Sequence, residues 1–224
     1  MIIRQFHDSK SQAFSYLIGD DATYQAALVD PVADHAADYY ELIDELGLHL
    51  TYVLETHVHS THQTAAGIMR EITNAQTVLP EKASGYYADL FVKHGDTLPL
   101  GERVIRVHET PGHTMSCVTY QIGERHLFTG DTLWVGNVGP TELHLGGCTM
   151  KHYNSIQSLF KFPDHFRVYP GHGTRGDKHS TVGREKVENM VADKDLSSFI
   201  YYMDDRDQIQ EEAESDTLSG LALA

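Results

Sequence analysis

Three histidines fall within six residues in the stretch Thr56-His57-Val58-His59-Ser60-Thr61-His62, directly behind the apolar run Tyr52-Val53-Leu54, which reads as a buried strand. A protein uses this arrangement to aim imidazoles at a metal from the end of a β-strand. The chain carries 15 histidines, so one cluster alone could arise without a metal. Three further segments argue against chance: Pro111-Gly112-His113-Thr114, Thr129-Gly130-Asp131-Thr132 and Pro170-Gly171-His172-Gly173. Each places a ligand-capable side chain beside a glycine, just after or within a strand-like segment.

Composition narrows the metal chemistry. Only two cysteines occur, Cys117 and Cys148, which excludes a disulfide framework and a thiolate zinc cluster, so the ligands must be nitrogen and oxygen. Cys117 reads as a small apolar strand residue. A net charge of −15 sets up a long-range field that repels polyanions, so nucleic acid and an anionic membrane surface are not expected partners. The N-terminal residues lack a basic-then-apolar leader pattern, and no run approaches the ~18 apolar residues of a membrane helix. A cytoplasmic protein is expected, and a homodimer stays open.

Along the chain, strand-like segments are expected at 14–19 and 25–30, separated by a polar hairpin signal, and then at 52–54, 104–108, 117–122, 126–128 and 166–169. Helical spacing covers about 34–46, closed by Gly47, and then about 63–73, 153–160 and 182–203. Strands and helices thus alternate twice around a β-rich centre, with the candidate ligands at strand exits. That layout predicts an α/β (α+β) fold of two sheets face to face with helices outside, in one domain over 1–203. The acidic, then small and apolar, tail at 204–224 is expected to be poorly ordered.

Together these motifs resemble the metallo-β-lactamase superfamily over roughly residues 14–191, which implies an αββα four-layer sandwich with the metal site at the edge between its sheets. Within it the chain is most similar to the glyoxalase II branch and its relatives, the persulfide dioxygenases. The run Thr110-Pro111-Gly112-His113-Thr114-Met115-Ser116-Cys117-Val118-Thr119-Tyr120 follows the dioxygenase pattern.

One departure separates the chemistries that the resemblance allows. The family's first motif is His-x-His-x-Asp-His, and here Thr61 replaces the aspartate. A neutral hydroxyl is a poor ligand for a divalent cation, so a second metal site should be weak or empty. A hydrolase normally needs a carboxylate near its metal-bound hydroxide. A thiol dioxygenase instead needs two histidines and one carboxylate on one face of a single iron. The resemblance implies that His57, His113 and Asp131 bind one Fe(II) and oxidise glutathione persulfide, or a related small persulfide, with O₂ to sulfite. His59, His62, His172 and Thr61 would be outer groups that orient ligands or substrate, or additional ligands, as the counterpart of His59 is in the zinc enzymes. The alternatives are a zinc thioesterase of the glyoxalase II type and a degenerate, non-catalytic metal-binding member.

The substrate side departs as well. Where the dioxygenases carry Gly-Arg-Thr-Asp, this chain has Gly139-Pro140-Thr141-Glu142, and Thr174 stands in place of a family tyrosine. Arg175, Lys178 and Arg184 are the candidate carboxylate clamps, and Trp134 a candidate pocket wall. The other ten histidines are read as surface or packing residues.

Overall fold

The computed structural model describes residues 1–83, 85–173 and 178–206. The N-terminal half runs β1 (Ile2–His7), β2 (Phe14–Gly19), β3 (Gln25–Val29), α1 (Ala36–Glu45), β4 (His49–Leu54), α2 (Ala66–Thr73), β5 (Gln76–Pro80) and β6 (Leu90–Val92). The C-terminal half runs β7 (Thr97–Leu100), β8 (Arg103–Glu109), β9 (Val118–Ile122), β10 (His126–Gly130), α3 (Thr149–Leu159), β11 (Arg167–Pro170), β12 (Ser180–Thr181) and α4 (Val182–Glu188), followed by helix α5 over residues 196–206. Among the described residues these strands form two six-stranded sheets, ordered β1-β2-β3-β4-β5-β6 and β12-β11-β10-β9-β8-β7.

Alternation along the strands decides what each face meets. On β2, Phe14, Tyr16 and Ile18 point between the sheets, where they join Tyr52 and Leu54 of β4 and Ile105, Val107, Tyr120 and Phe128 of the facing sheet. Leu17, Leu28, Leu50 and Val53 point the opposite way and pack on Tyr39 and Ile43 of α1 and Met69 of α2. Behind the second sheet, Leu127 and Val168 meet Ile156 and Leu159 of α3, Val182 of α4 and Phe199 and Met203 of α5. The result is the αββα sandwich, and both faces of its central strands are buried.

The alternation of strands and helices matched the pattern of the residues, and the differences have local causes. Helix α2 begins at Ala66, not near 63, because the Thr64 hydroxyl accepts a bond from Ala66 N (3.0 Å) and Ala65 N is taken by Pro31 O (2.7 Å). The single helix expected at 182–203 is two, broken at Asn189, whose backbone is extended (φ −68, ψ 139) and whose amide is spent on Trp134 O, Asn137 O and Glu185. Residues 204–206 continue α5 and so belong to the helix, not to a tail. The order of the tail from 207 onward lies outside the described residues. Strands β1, β5, β6, β7 and β12 escaped the pattern; all but β5 lie at a sheet margin, where alternation is weak.

Phe128 is central to the intersheet core: fully buried, stacked on Tyr169 at 4.8 Å between centroids and edge-on to Tyr16 at 5.2 Å. Phe128→Ala should cost about 3–5 kcal/mol of stability, read as a fall in the urea unfolding midpoint. A change below about 1 kcal/mol would mean that this cluster does not hold the sheets together.

Candidate metal centre

The site is built where parallel neighbours end. Strands β3 and β4 run parallel, as do β10 and β11, so the loops that leave them, carrying Asp30, His57, Asp131 and His172, all emerge at one edge of the sandwich. His113 comes from the loop between β8 and β9. Hydrogen bonds across the two halves close this edge. Val118 N donates to Thr56 O (2.8 Å), the Tyr120 hydroxyl to Glu55 O (2.9 Å), and the Tyr16 hydroxyl to Pro170 O (2.6 Å).

Two glycines permit the close approach. Gly130 has φ +50, and a Cβ there would lie 2.3 Å from Thr56 Oγ1. Gly112 has φ +153, and a Cβ would lie 2.2 Å from His152 Cα. Any other residue would strain the backbone and push apart the elements that carry His57 and His113.

His57, His113 and Asp131 are buried and offer ligand atoms within 4.8 Å of one another. Asp131 Oδ2 stands 3.8 Å from His57 Nε2 and 3.6 Å from His113 Nε2. These separations are too long for hydrogen bonds yet within the span of donors sharing one cation at bond lengths of about 2.1 Å. The surroundings turn the lone pairs inward. His57 Nδ1–H donates to Thr56 Oγ1 (2.8 Å), whose own proton goes to Asp30 Oδ2 (2.8 Å), leaving His57 Nε2 free to ligate. His113 Nδ1–H donates to the Pro140 carbonyl (2.7 Å), with the same consequence at its Nε2. Asp131 Oδ1 accepts from Trp134 Nε1–H (2.9 Å) and His172 Nδ1–H (2.8 Å), which leaves Oδ2 for the metal.

The protonation states agree with this geometry. Burial, then the charges of His59 and His113, hold the His57 pKa well below its usual value, so its imidazole is neutral. Burial opposes ionisation of Asp131, but His172, His113 and His57 outweigh it and keep the carboxyl well below the usual carboxylate range. A neutral imidazole and an ionised carboxylate are the forms that bind a divalent cation.

His59 is engaged elsewhere. Its Nε2 lies 2.9 Å from Glu55 Oε2 and 3.2 Å from Asp30 Oδ1. Burial lowers its pKa, but Asp30 and Glu55 overcome this and raise it to about 10. Its Nδ1 is buried without a hydrogen-bond partner. Asp30, His57 and His59 also lie close enough together to hold an ion, but with Thr56, Glu55 and Thr64 they close as a buried polar network. The His62 ring lies 4.3 Å from that of His59, tilted by 36°, and burial together with His59 lowers its pKa to about 4. Thr61 is exposed, its hydroxyl 3.2 Å from His62 Nδ1, and brings no carboxylate to the centre. His172 is held on Asp131; burial lowers its pKa, and Asp131 more than restores it.

Of the candidate clamp residues, Lys178 and Arg184 sit apart from this centre. Lys178 lines a cavity with Arg4, His126 and Arg167 that no member of the triad lines, and Arg184 pairs with Glu188 (2.8 Å) on α4. Arg175 and Thr174 lie outside the described residues. Trp134 orients Asp131 through its indole N–H and stands 5.3 Å from the His172 ring. Sequence reasoning missed Asp30, Glu55, Thr56 and the Pro140 carbonyl. A signal existed for the first three: Asp30 and Glu55 each follow directly on a strand, and Thr56 precedes the first histidine. The Pro140 carbonyl has no side-chain signature. Cys117 is buried, and burial pushes its thiol up to about 12, as suits a packing residue.

Residues 9–172 match the Metallo-beta-lactamase superfamily. The chain belongs to this superfamily. It is 34% identical over 206 residues to the mitochondrial persulfide dioxygenase ETHE1 of Mus musculus, covering 91% of this chain and 81% of that one. It is 36% identical over 165 residues to the hydroxyacylglutathione hydrolase of a Bradyrhizobium species, covering 72% and 63% respectively. Among solved structures, ETHE1 from Myxococcus xanthus superposes with a TM-score of 0.87 at 41% identity, over 91% of this chain and 90% of that one.

Two substitutions test the centre. Thr56→Val removes both the acceptor for His57 and the donor to Asp30, and should weaken metal binding about 10–100-fold in chelator competition, whereas Thr56→Ser should restore it. Thr61→Asp should raise the metal-to-protein ratio from one towards two by elemental analysis, and an unchanged ratio would refute the explanation based on the missing carboxylate.

Proposed function

We propose that this chain is a mononuclear non-haem iron persulfide dioxygenase, which oxidises a small persulfide to sulfite and the free thiol. The observation that carries the reading is the set of inward donors, His57 Nε2, His113 Nε2 and Asp131 Oδ2, together with the lack of a carboxylate at position 61. Two imidazoles and one carboxylate on one face are the donor set of non-haem Fe(II) oxygenases, and Fe(II), when bound, supplies redox chemistry with neighbouring positions open to sulfur and O₂. The protein residues prepare the site. Thr56 and the Pro140 carbonyl set the imidazole tautomers, Trp134 and His172 hold Asp131, and burial of all three donors keeps bulk water out.

The overall reaction is RSSH + O₂ + H₂O → RSH + HSO₃⁻ + H⁺, in which the outer sulfur loses four electrons and O₂ accepts four. The similarity to the mouse persulfide dioxygenase extends over most of both chains and supports this assignment. The likeness to a hydroxyacylglutathione hydrolase favours thioester cleavage as a second reading. That chemistry uses a carboxylate to position a metal-bound hydroxide, and Thr61 offers only a hydroxyl. No helix among the described residues is long and apolar enough to cross a membrane. On this reading it works in the cytoplasm.

Reconstitution separates the two readings. The iron-loaded protein should consume O₂ with a persulfide and leave acyl-glutathione intact, and the zinc-loaded protein should do neither at a comparable rate. His113→Ala and Asp131→Ala should each lose more than about 99% of O₂ uptake, because an incomplete donor set holds iron weakly. Thioester cleavage by the zinc form without O₂ uptake by the iron form would reverse the order of the readings.

A further inference from the structure

The two margins of the sandwich are filled differently. At one, β6 and β7 bring Leu90, Val92, Leu98 and Leu100 against the intersheet core. At the other, where β1 faces β11 and the two-residue β12, a cavity of about 770 Å³ stays open. Met1 and Ile3 give it an apolar side, and Arg4, Arg167 and Lys178 bring three cations to its lining. Among the described residues no carboxylate lines it.

In a chain of net charge −15 most cations have acidic partners, as Lys10 has Asp34, Arg70 has Asp89, Arg103 has Asp20 and Lys186 has Asp164. Arg4, Arg167 and Lys178 enter no ion pair among the described residues. Their backbone is nonetheless anchored. Arg167 N donates to Arg125 O (2.7 Å), and Gln5 Nε2 donates to Lys178 O (2.8 Å) and to the Tyr16 hydroxyl (3.0 Å), which ties the segment before β12 to β1. Tyr169 also lines the cavity, stacked with the rings of His126 and His179 at 5.7 and 5.8 Å between centroids. The field there is positive: burial, and then the charges of Arg167, Arg103 and Arg125, lower the His126 pKa to about 4. The site sheds one positive charge and still holds three without an anion.

Like charges around one cavity repel, and a bound anion relieves that repulsion. The net negative charge acts at long range, but inside a Debye length of roughly 10 Å the local cations dominate. Two guanidinium forks and an ammonium match a phosphate group, which offers three oxygens and up to two charges, better than a carboxylate with two oxygens and one charge. We infer that this margin of the sandwich is a binding site, separate from the metal centre, for a small molecule that bears a phosphate group, held by Arg4, Arg167 and Lys178. The site does not depend on which reaction the metal centre performs.

The test titrates the zinc-loaded full chain with phenyl phosphate and with benzoate at low salt, by calorimetry and by amide chemical shifts. Phenyl phosphate should saturate with a Kd below about 1 mM, at least about tenfold tighter than benzoate, and shift the amides of Arg4, Arg167, Tyr169 and Lys178. Arg167→Gln and Lys178→Gln should each weaken binding about tenfold. Both side chains are exposed, so an unchanged urea midpoint should show that the fold stands. Lys186→Gln, the same loss of charge at a cation paired with Asp164, should leave the Kd unchanged. Benzoate bound as tightly as phenyl phosphate would overturn the ligand class. A lack of saturation would overturn the site, as would an affinity that survives the double variant with shifts at His57 and His113, the sign of an anion on the metal.

Discussion

The carboxylate of Asp131 has two oxygens with separate partners, and the geometry of the centre depends on that division. Oδ1 is occupied by the indole of Trp134 and the imidazole of His172, while Oδ2 faces Nε2 of His57 and of His113. A buried carboxylate without donors would take up a proton and cease to be a ligand. Trp134 and His172 thus keep Asp131 charged and aimed. His172 reaches Asp131 because Gly171, whose Cβ would stand 2.3 Å from Asp131 Oδ1, lets the end of β11 lie against it.

The same principle recurs at the two imidazoles, where the holding group is different each time. A side-chain relay through Thr56 to Asp30 fixes His57, and a main-chain carbonyl fixes His113. Asp30 itself adopts φ +48, a left-handed conformation that a short polar side chain tolerates. That conformation turns the chain at the end of β3 so that both its oxygens meet Thr56. The segment around Pro140 serves through its backbone: Glu142 N bonds His113 O (2.9 Å), and Cys148 N bonds Gly112 O (2.8 Å), so the loop lies against the histidine whatever side chain stands at 140. This explains how a proline can occupy a position where the dioxygenases carry arginine while the ligand geometry survives.

The histidine-rich motif divides into two uses. His57 faces the centre, whereas His59, only two residues away, turns its Nε2 to Glu55 and Asp30, which raise its pKa. Alternation in the loop sends neighbouring imidazoles into different electrostatic surroundings, one lined by other imidazoles and one by carboxylates. Two histidines of one motif therefore need not do the same work.

A candidate set of nitrogen and oxygen metal donors, the alternation of strands and helices, and the family were all legible in the residues. Buried strands need apolar runs and tight loops need glycine, and both leave marks in the amino-acid order. Thr61 was legible too, since the loss of a carboxylate is a change of residue type. What only the tertiary structure decided was which atoms face one another: that Trp134 serves Asp131, that Pro140 contributes a carbonyl, that His59 turns its Nε2 to Glu55 and Asp30, and that Lys178 lines a cavity the triad does not. Pairings between the sheets join residues as distant as Tyr16 and Pro170, 154 positions apart, and local pattern carries no record of them. They are set by how two sheets pack face to face, because hydrogen bonds and pKa values depend on distance and burial and not on sequence spacing.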